Sequence, residues 1–100
     1  MSTIPSFGNK QPYEEYYVSF NFSHDLAPDE EISSASVTVK DAQGADATST
    51  IVKSVLLASD CRVFVFVQGG TAQTYKMTCK IVCSNTEKYE KEAYLPVSDV

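Results

Sequence analysis

The chain has 100 residues, 43% of them hydrophobic and 11% aromatic, and a formal net charge of -5. That length makes one domain able to bury a core, and an acidic chain without a basic cluster is repelled by phosphate, which argues against DNA or RNA as a partner. No stretch approaches the ~20 apolar residues of a membrane helix, and Met1 to Gly8 lacks the charged and apolar regions of a signal peptide, so a soluble chain made in the cytoplasm, without a membrane partner, is expected.

Val, Thr, Ser, Tyr and Phe outnumber the strong helix formers, which predicts an all-β domain. The charge is uneven: residues 1 to 60 hold nine acids against three bases, and residues 61 to 100 hold four acids against five bases.

Residues 1 to 14 form a polar arm with Pro5, Gly8 and Pro12, whose composition predicts a flexible segment without a packed element of its own. Residues 15 to 100 are expected to make the single folded domain. Tyr16 to Phe22 alternates, with Tyr16, Val18, Phe20 and Phe22 on one face and Tyr17, Ser19 and Asn21 on the other, which reads as the first strand. A loop from Ser23 to Glu31 follows, with Leu26 and Ile32 as its apolar plugs and Pro28 with Asp29 marking the turn. Ser34 to Lys40 turns Ala35, Val37 and Val39 inward, a second strand that stops at Asp41 to Gly44.

From Thr50 to Leu57 the pattern blurs. Ile51, Val55 and Leu57 share a face with Lys53 while Val52 and Leu56 take the other, so a third strand with partial cover on both faces is expected. After a turn at Ala58 to Asp60, Cys61 to Val67 places Val63, Val65 and Val67 on one face and Phe64 and Phe66 on the other, as in a central strand or one at an interface. Gly69-Gly70 forms a tight connection into Gln73 to Cys83, where Tyr75, Met77, Cys79, Ile81 and Cys83 alternate with mainly polar residues. Ser84 to Glu87 reads as a hairpin link into Lys88 to Val97, which aligns Tyr89, Ala93, Leu95 and Val97. Pro96 removes a backbone donor, which puts the end of this strand at an edge or past its final pairing.

Six or seven short strands with turns every 8 to 12 residues predict an immunoglobulin-like antiparallel β-sandwich, with a small barrel as the alternative. Tyr75, near the start of the penultimate strand, stands where such sandwiches bend a tyrosine hydroxyl back to the preceding loop. There is no tryptophan, and an odd count of three cysteines suggests buried thiols rather than a disulfide frame. Cys79 and Cys83 lie about 13 Å apart at ~3.3 Å per residue along one strand, too far to bridge.

No residue set here carries catalysis. The single histidine, His24, sits beside Asp25 in a loop, and neither a Gly-x-Ser-x-Gly elbow nor a phosphate-binding loop is present. Asp29-Glu30-Glu31 lacks the alternating oxygen ligands of a calcium loop, and its plainer reading is a solvated turn. No catalytic residue, cofactor or metal is therefore assigned. Apolar surface is left over: Tyr17, Phe64, Phe66 and Tyr94 fall on faces opposite the core, and aromatics on an outer face suggest a partner surface unless two sheets bury them.

Three segments together resemble a known family: Lys10-Gln11-Pro12-Tyr13-Glu14-Glu15-Tyr16-Tyr17-Val18-Ser19-Phe20, the loop from Leu26-Ala27-Pro28-Asp29-Glu30-Glu31 to Ser34, and Gly69-Gly70-Thr71-Ala72-Gln73-Thr74-Tyr75 before a final hairpin. Over about residues 10 to 97 the chain resembles small phage and prophage virion proteins described as fibre-tail adaptor or tail-associated proteins. It departs from their pattern at Ser19, Asp29 and Gln73, where Asp, Gly and Gly are usual.

The resemblance implies a structural, non-enzymatic assembly protein at the phage tail or head-tail connection. It would be located in the virion, synthesised in the bacterial host cytoplasm, and bind other virion proteins or further copies of itself. Lys10, Pro12, Tyr13, Tyr17, Phe64, Phe66 and Tyr94 are the expected interface residues. On this reading, deleting residues 1 to 12 leaves thermal stability nearly unchanged and lowers incorporation into particles. The competing expectation is a sugar-binding or adhesive module stacking its ligand on Tyr13, Tyr17, Tyr89 and Tyr94.

Overall fold

A computed structural model of the chain describes residues 4–26, 29–58 and 61–98. Six strands form: β1 (Tyr16–Asn21), β2 (Ile32–Lys40), β3 (Val52–Ala58), β4 (Arg62–Val67), β5 (Gln73–Cys83) and β6 (Lys88–Val97), with one helical turn, α1 (Thr48–Ile51). They pair antiparallel into two three-stranded sheets, ordered β1-β4-β3 and β2-β5-β6. The sheets share no strand, so the domain is a sandwich and not the small barrel held as the alternative.

The core follows the period-two pattern. Val18 and Phe20 of β1, Val63, Val65 and Val67 of β4, Val37 and Val39 of β2, Tyr75 to Cys83 at alternate positions of β5, and Ala93, Leu95 and Val97 of β6 are all buried. A central strand has its inner side chains covered from the facing sheet and from both strand neighbours. That is why β4 and β5, each at the middle of its sheet, have inner residues that are fully or almost fully enclosed. Leu26 is buried in the β1–β2 loop, and Ile32 packs on the core edge. Pro28, read as marking the turn, lies outside the described residues.

Gly69 and Gly70 take φ of 57° and 99° at the turn from β4 into β5, where residues with a Cβ are strained. Just beyond it, the Thr71 N–H donates to the Tyr75 hydroxyl at 3.0 Å, and Gln73 Nε2 lies 3.3 Å from the same oxygen. The hydroxyl thus ties the start of β5 to the preceding loop, as its sequence position suggests. Tyr75→Phe is expected to leave the Thr71 N–H short of its acceptor and to destabilise by about 1–2 kcal/mol. Thermal melting of the variant should then fall by roughly 5–10 °C.

Three segments differ from the sequence reading. The strand expected from Thr50 begins two residues later, because Thr48–Ile51 closes a helical turn: Ile51 N–H donates to Ala47 O at 3.1 Å, and Asp46 Oδ1 accepts from Thr48 Oγ1 at 2.6 Å. That bond, with a second from the Thr48 N–H at 3.1 Å, holds the Asp46 carboxyl below the usual range, and the turn delivers Ile51 into full burial. The strand β3 that follows is open on both faces instead of partly covered. Val55, Leu56 and Leu57 are 39%, 56% and 40% exposed, because β3 is an outer strand and only β2, itself an edge strand, stands opposite it.

The third difference is the arm, which packs on the domain. Residues 5–10 run parallel to the outer side of β6. Phe7 N–H donates to Tyr94 O at 2.8 Å, Tyr94 N–H to Pro5 O at 2.9 Å, Lys10 N–H to Pro96 O at 2.9 Å, and Ser98 N–H to Lys10 O at 3.0 Å. Pro96 therefore keeps its pairing with Thr74 on one side and accepts a bond from the arm on the other. Phe7 meets the Phe20 ring edge-on at 5.5 Å.

Candidate interaction surface

The outer faces of the two sheets differ in chemistry. On the β2-β5-β6 sheet the outward residues are largely hydroxyls and charges, with Lys76 3.0 Å from Glu92 and Lys80 3.8 Å from Glu90. Such a face is content in water. On the β1-β4-β3 sheet the outward positions include aromatic and aliphatic side chains, Tyr17, Phe64, Phe66 and Leu56, alongside Ser19 and Ser54.

Strand register builds that second face. Tyr17 stands opposite Phe66 and Ser19 opposite Phe64 across β1–β4, while Ser54 faces Phe66 and Leu56 faces Phe64 across β3–β4. Tyr17 packs edge-on against Phe66 at 4.8 Å and against Phe64 at 6.3 Å. Lys53, displaced by the irregularity between Val52 and Ser54, lies over the Phe66 ring at 5.5 Å and 3.4 Å from Glu15. Phe64 and Phe66 are half-buried, while Tyr17 is 51% and Leu56 56% exposed.

The expected interface residues fall in separate places. Tyr17, Phe64 and Phe66 form one cluster. Tyr94 faces outward from the other sheet, paired with Lys76. Tyr13 is 94% exposed at the end of the arm, with Pro12 partly buried before it. Lys10, expected at the surface, is wholly enclosed: its ammonium donates to Gly69 O at 2.6 Å and Gln11 O at 3.0 Å. Burial pushes that ammonium below its ordinary value, while Glu14 and Glu15 pull it back up.

Leu56, opposite Phe64 on the outer face, belongs with the cluster and was not singled out from sequence, while Val55 and Leu57 beside it have inward parity. Its signal is the unbroken apolar run Val55-Leu56-Leu57, which a half-buried strand would interrupt with polar residues.

Other chemistry is sparse. His24 is exposed, and its neighbour Asp25 pairs with Lys91 at 3.2 Å. Cys61, Cys79 and Cys83 are free thiols, and burial pushes Cys79 up to about 12, so it acts as a small core hydrophobe. Among the described residues no three His, Cys, Asp or Glu side chains gather to hold a metal, and no helix is long and apolar enough to cross a membrane. Tyr17 and Tyr94 lie on opposite outer faces and Tyr89 has the inward parity of Ile81, its partner, so these tyrosines make no common stacking platform.

No curated protein matches the chain. A family model described as "Podophage GP4 fiber-tail adaptor protein gp77" matches residues 10–96, from the anchoring Lys10 through nearly all of β6. The chain belongs to this family of phage fibre-tail adaptors, a structural and assembly class of virion protein.

Proposed function

We propose that the chain is a non-enzymatic, immunoglobulin-like module at the tail or head-tail connection, and that it binds neighbouring virion proteins through the outer face of the β1-β4-β3 sheet. The observation that carries this reading is the asymmetry of the two outer faces: Tyr17, Phe64, Phe66 and Leu56 cluster on one, ion pairs on the other. Partner surfaces concentrate binding energy in such aromatic groups, with charge kept to the rim, and Lys53 and Glu15 stand at that rim. The immunoglobulin-like assignment is supported by the strand order, which has the B-E-D and C-F-G arrangement of such sandwiches. The Tyr75 hydroxyl bond at the start of β5 supports it further. Pro12 and Tyr13, beyond the docked part of the arm, extend the contact surface.

Replacing Phe64 and Phe66 together by Ser tests the reading. Both face outward but are half-buried against Tyr17, so about 2–3 kcal/mol of stability and roughly 10–15 °C of melting temperature should go with them; assembled well below the variant's melting temperature, incorporation into particles falls at least about tenfold, equivalent to ~1.4 kcal/mol of contact. Unimpaired incorporation would place the contact elsewhere. Light scattering of the purified wild-type chain over a concentration range then separates the occupants. A fixed oligomer assigns the face to further copies of the chain, and a monomer assigns it to another virion protein.

A further inference from the structure

At the end of the sandwich away from the Gly69-Gly70 turn, the β1–β2 loop is stitched to the β5–β6 hairpin. Ser84 N–H donates to Glu31 O at 2.9 Å, Glu31 N–H donates to Ser84 Oγ at 3.3 Å, and Cys61 Sγ lies 3.8 Å from Glu30 O. Between these segments lies the Glu30 side chain, 9% exposed, with no donor on either carboxylate oxygen.

Facing it within hydrogen-bond reach is the carboxyl group of Glu87, the last residue of the hairpin turn. Glu87 is itself held in place. Its carboxylate accepts from Asn85 Nδ2 at 2.8 Å and from the Tyr89 hydroxyl at 3.4 Å, and its N–H donates to Asn85 Oδ1 at 3.0 Å. Beside the pair stand Tyr89 of β6, Cys83 at the end of β5 and Cys61 just before β4, with the charged groups of Asp29, Glu31 and Lys88 as its chain neighbours.

Asn85 and the Tyr89 hydroxyl serve one Glu87 oxygen, but no hydrogen bond reaches the buried Glu30 oxygens, so two ionised carboxylates would face each other here with one of them closed off from water. Like charges in such a site cannot both be held cheaply. A single proton supplies the missing donor, turning the pair into a short carboxylic acid–carboxylate bond across the two segments.

We propose that Glu30 and Glu87 share one proton and so form an acid-set clasp between the β1–β2 loop and the β5–β6 hairpin, which loosens when the solution becomes alkaline enough to remove that proton. Burial first, then the bond and charge of Glu87, push the Glu30 carboxyl above the ordinary range against a smaller downward pull from Asn85, while Asn85, then Glu30 itself, hold Glu87 below it. The signs follow. For Glu30 the folded chain holds a proton that the unfolded chain has already lost, so its contribution is present at low pH and is lost as pH rises from the ordinary glutamate value through Glu30's raised one. For Glu87 the contribution is present above the ordinary value and is lost as pH falls through its lowered one. Between these two losses the clasp is closed. It stands beside the cleft lined by Glu31, Ile32, Leu57 and Cys61, so its loosening would free apolar surface next to the open β3 strand.

NMR titration of the side-chain carboxyl carbons in the full chain tests this, with amide exchange of Ser84 as the local readout. Two separated steps are expected, Glu30 above the ordinary glutamates and Glu87 below. In Glu87→Gln, whose amide can donate, the proton affinity of Glu30 should fall at least about tenfold. Ser84 exchange protection should weaken about tenfold across the Glu30 step in the wild type and hold steady there in Glu30→Gln. Coincident ordinary steps would overturn the proposal. So would a Glu30 step that stays put in Glu87→Gln, or Ser84 protection indifferent to the Glu30 step. The wild-type titration and exchange alone decide it should either variant fold poorly.

Discussion

Gly70→Ala is expected to destabilise the domain by about 3 kcal/mol and to lower its melting temperature by roughly 15 °C. Two effects add. With φ at 99°, a residue carrying a Cβ is strained by about 1–2 kcal/mol. The new methyl group would also stand 3.2 Å from Ile51 Cδ1, 3.3 Å from Tyr75 Cε2 and 3.3 Å from Val97 Cγ2. Those side chains come from α1, β5 and β6 and are 0–3% exposed, so none can yield without disturbing another, at roughly 1–3 kcal/mol for overpacking. Gly44→Ala is the control, since Gly44 also has a positive φ, 85°, but nothing lies within 4 Å of its added Cβ. It should show the backbone effect alone. Equal losses in the two variants would mean that the turn is not closely packed on the core.

The same turn shows how far sequence reaches. Gly69-Gly70 announces a tight connection because few other residues tolerate positive φ. That three elements converge on Gly70 is a tertiary fact no local pattern encodes. Alternation in β4 and β5 is readable because each residue's face is fixed by its own strand, so Val63, Val65 and Val67 separate from Phe64 and Phe66 whatever the neighbours are. Which neighbour covers a face is not readable in this way. Val55 and Leu57 have the inward parity of Val65 and Val63 yet stay exposed, because β3 ends its sheet. Tyr94 has the outward parity expected of it and still lies on the other sheet from Tyr17, since parity says nothing about strand order.

The arm and the carboxyl pair were hidden for other reasons. An arm that docks through main-chain N–H and C=O groups leaves little compositional trace, and Lys10 in a polar stretch reads as a surface charge until its two carbonyl acceptors are seen. Glu30 looks like part of a solvated acidic run. Only folding brings it against Glu87, and neither local context reports the other.

A chain beginning at Tyr13 is expected to lose about 2–3 kcal/mol and roughly 10–15 °C, which reverses the expectation drawn from the arm's composition alone. The truncation removes four main-chain bonds to β6 at about 1 kcal/mol each, the Phe7–Phe20 contact with its apolar burial at about 2–3 kcal/mol, and two ammonium bonds from Lys10 at about 1.5–2 kcal/mol each. Against that gross loss of roughly 10 kcal/mol stands the cost of ordering about eight residues at ~1 kcal/mol each, which the truncated chain no longer bears.

Lys10→Met separates anchor from strap. It keeps the buried stem and the main-chain pairing but leaves Gly69 O without the ammonium donor, so a loss of about 1–2 kcal/mol is expected. Its pH profile should differ too. Because burial holds the Lys10 ammonium below 10.5, the folded chain carries fewer protons than the unfolded chain between that lowered value and 10.5. The wild type should therefore gain on Lys10→Met as pH rises through this window. A truncated chain that melts with the wild type would mean that the arm only rests on β6, and its residues would then be free to pair with a neighbouring subunit instead.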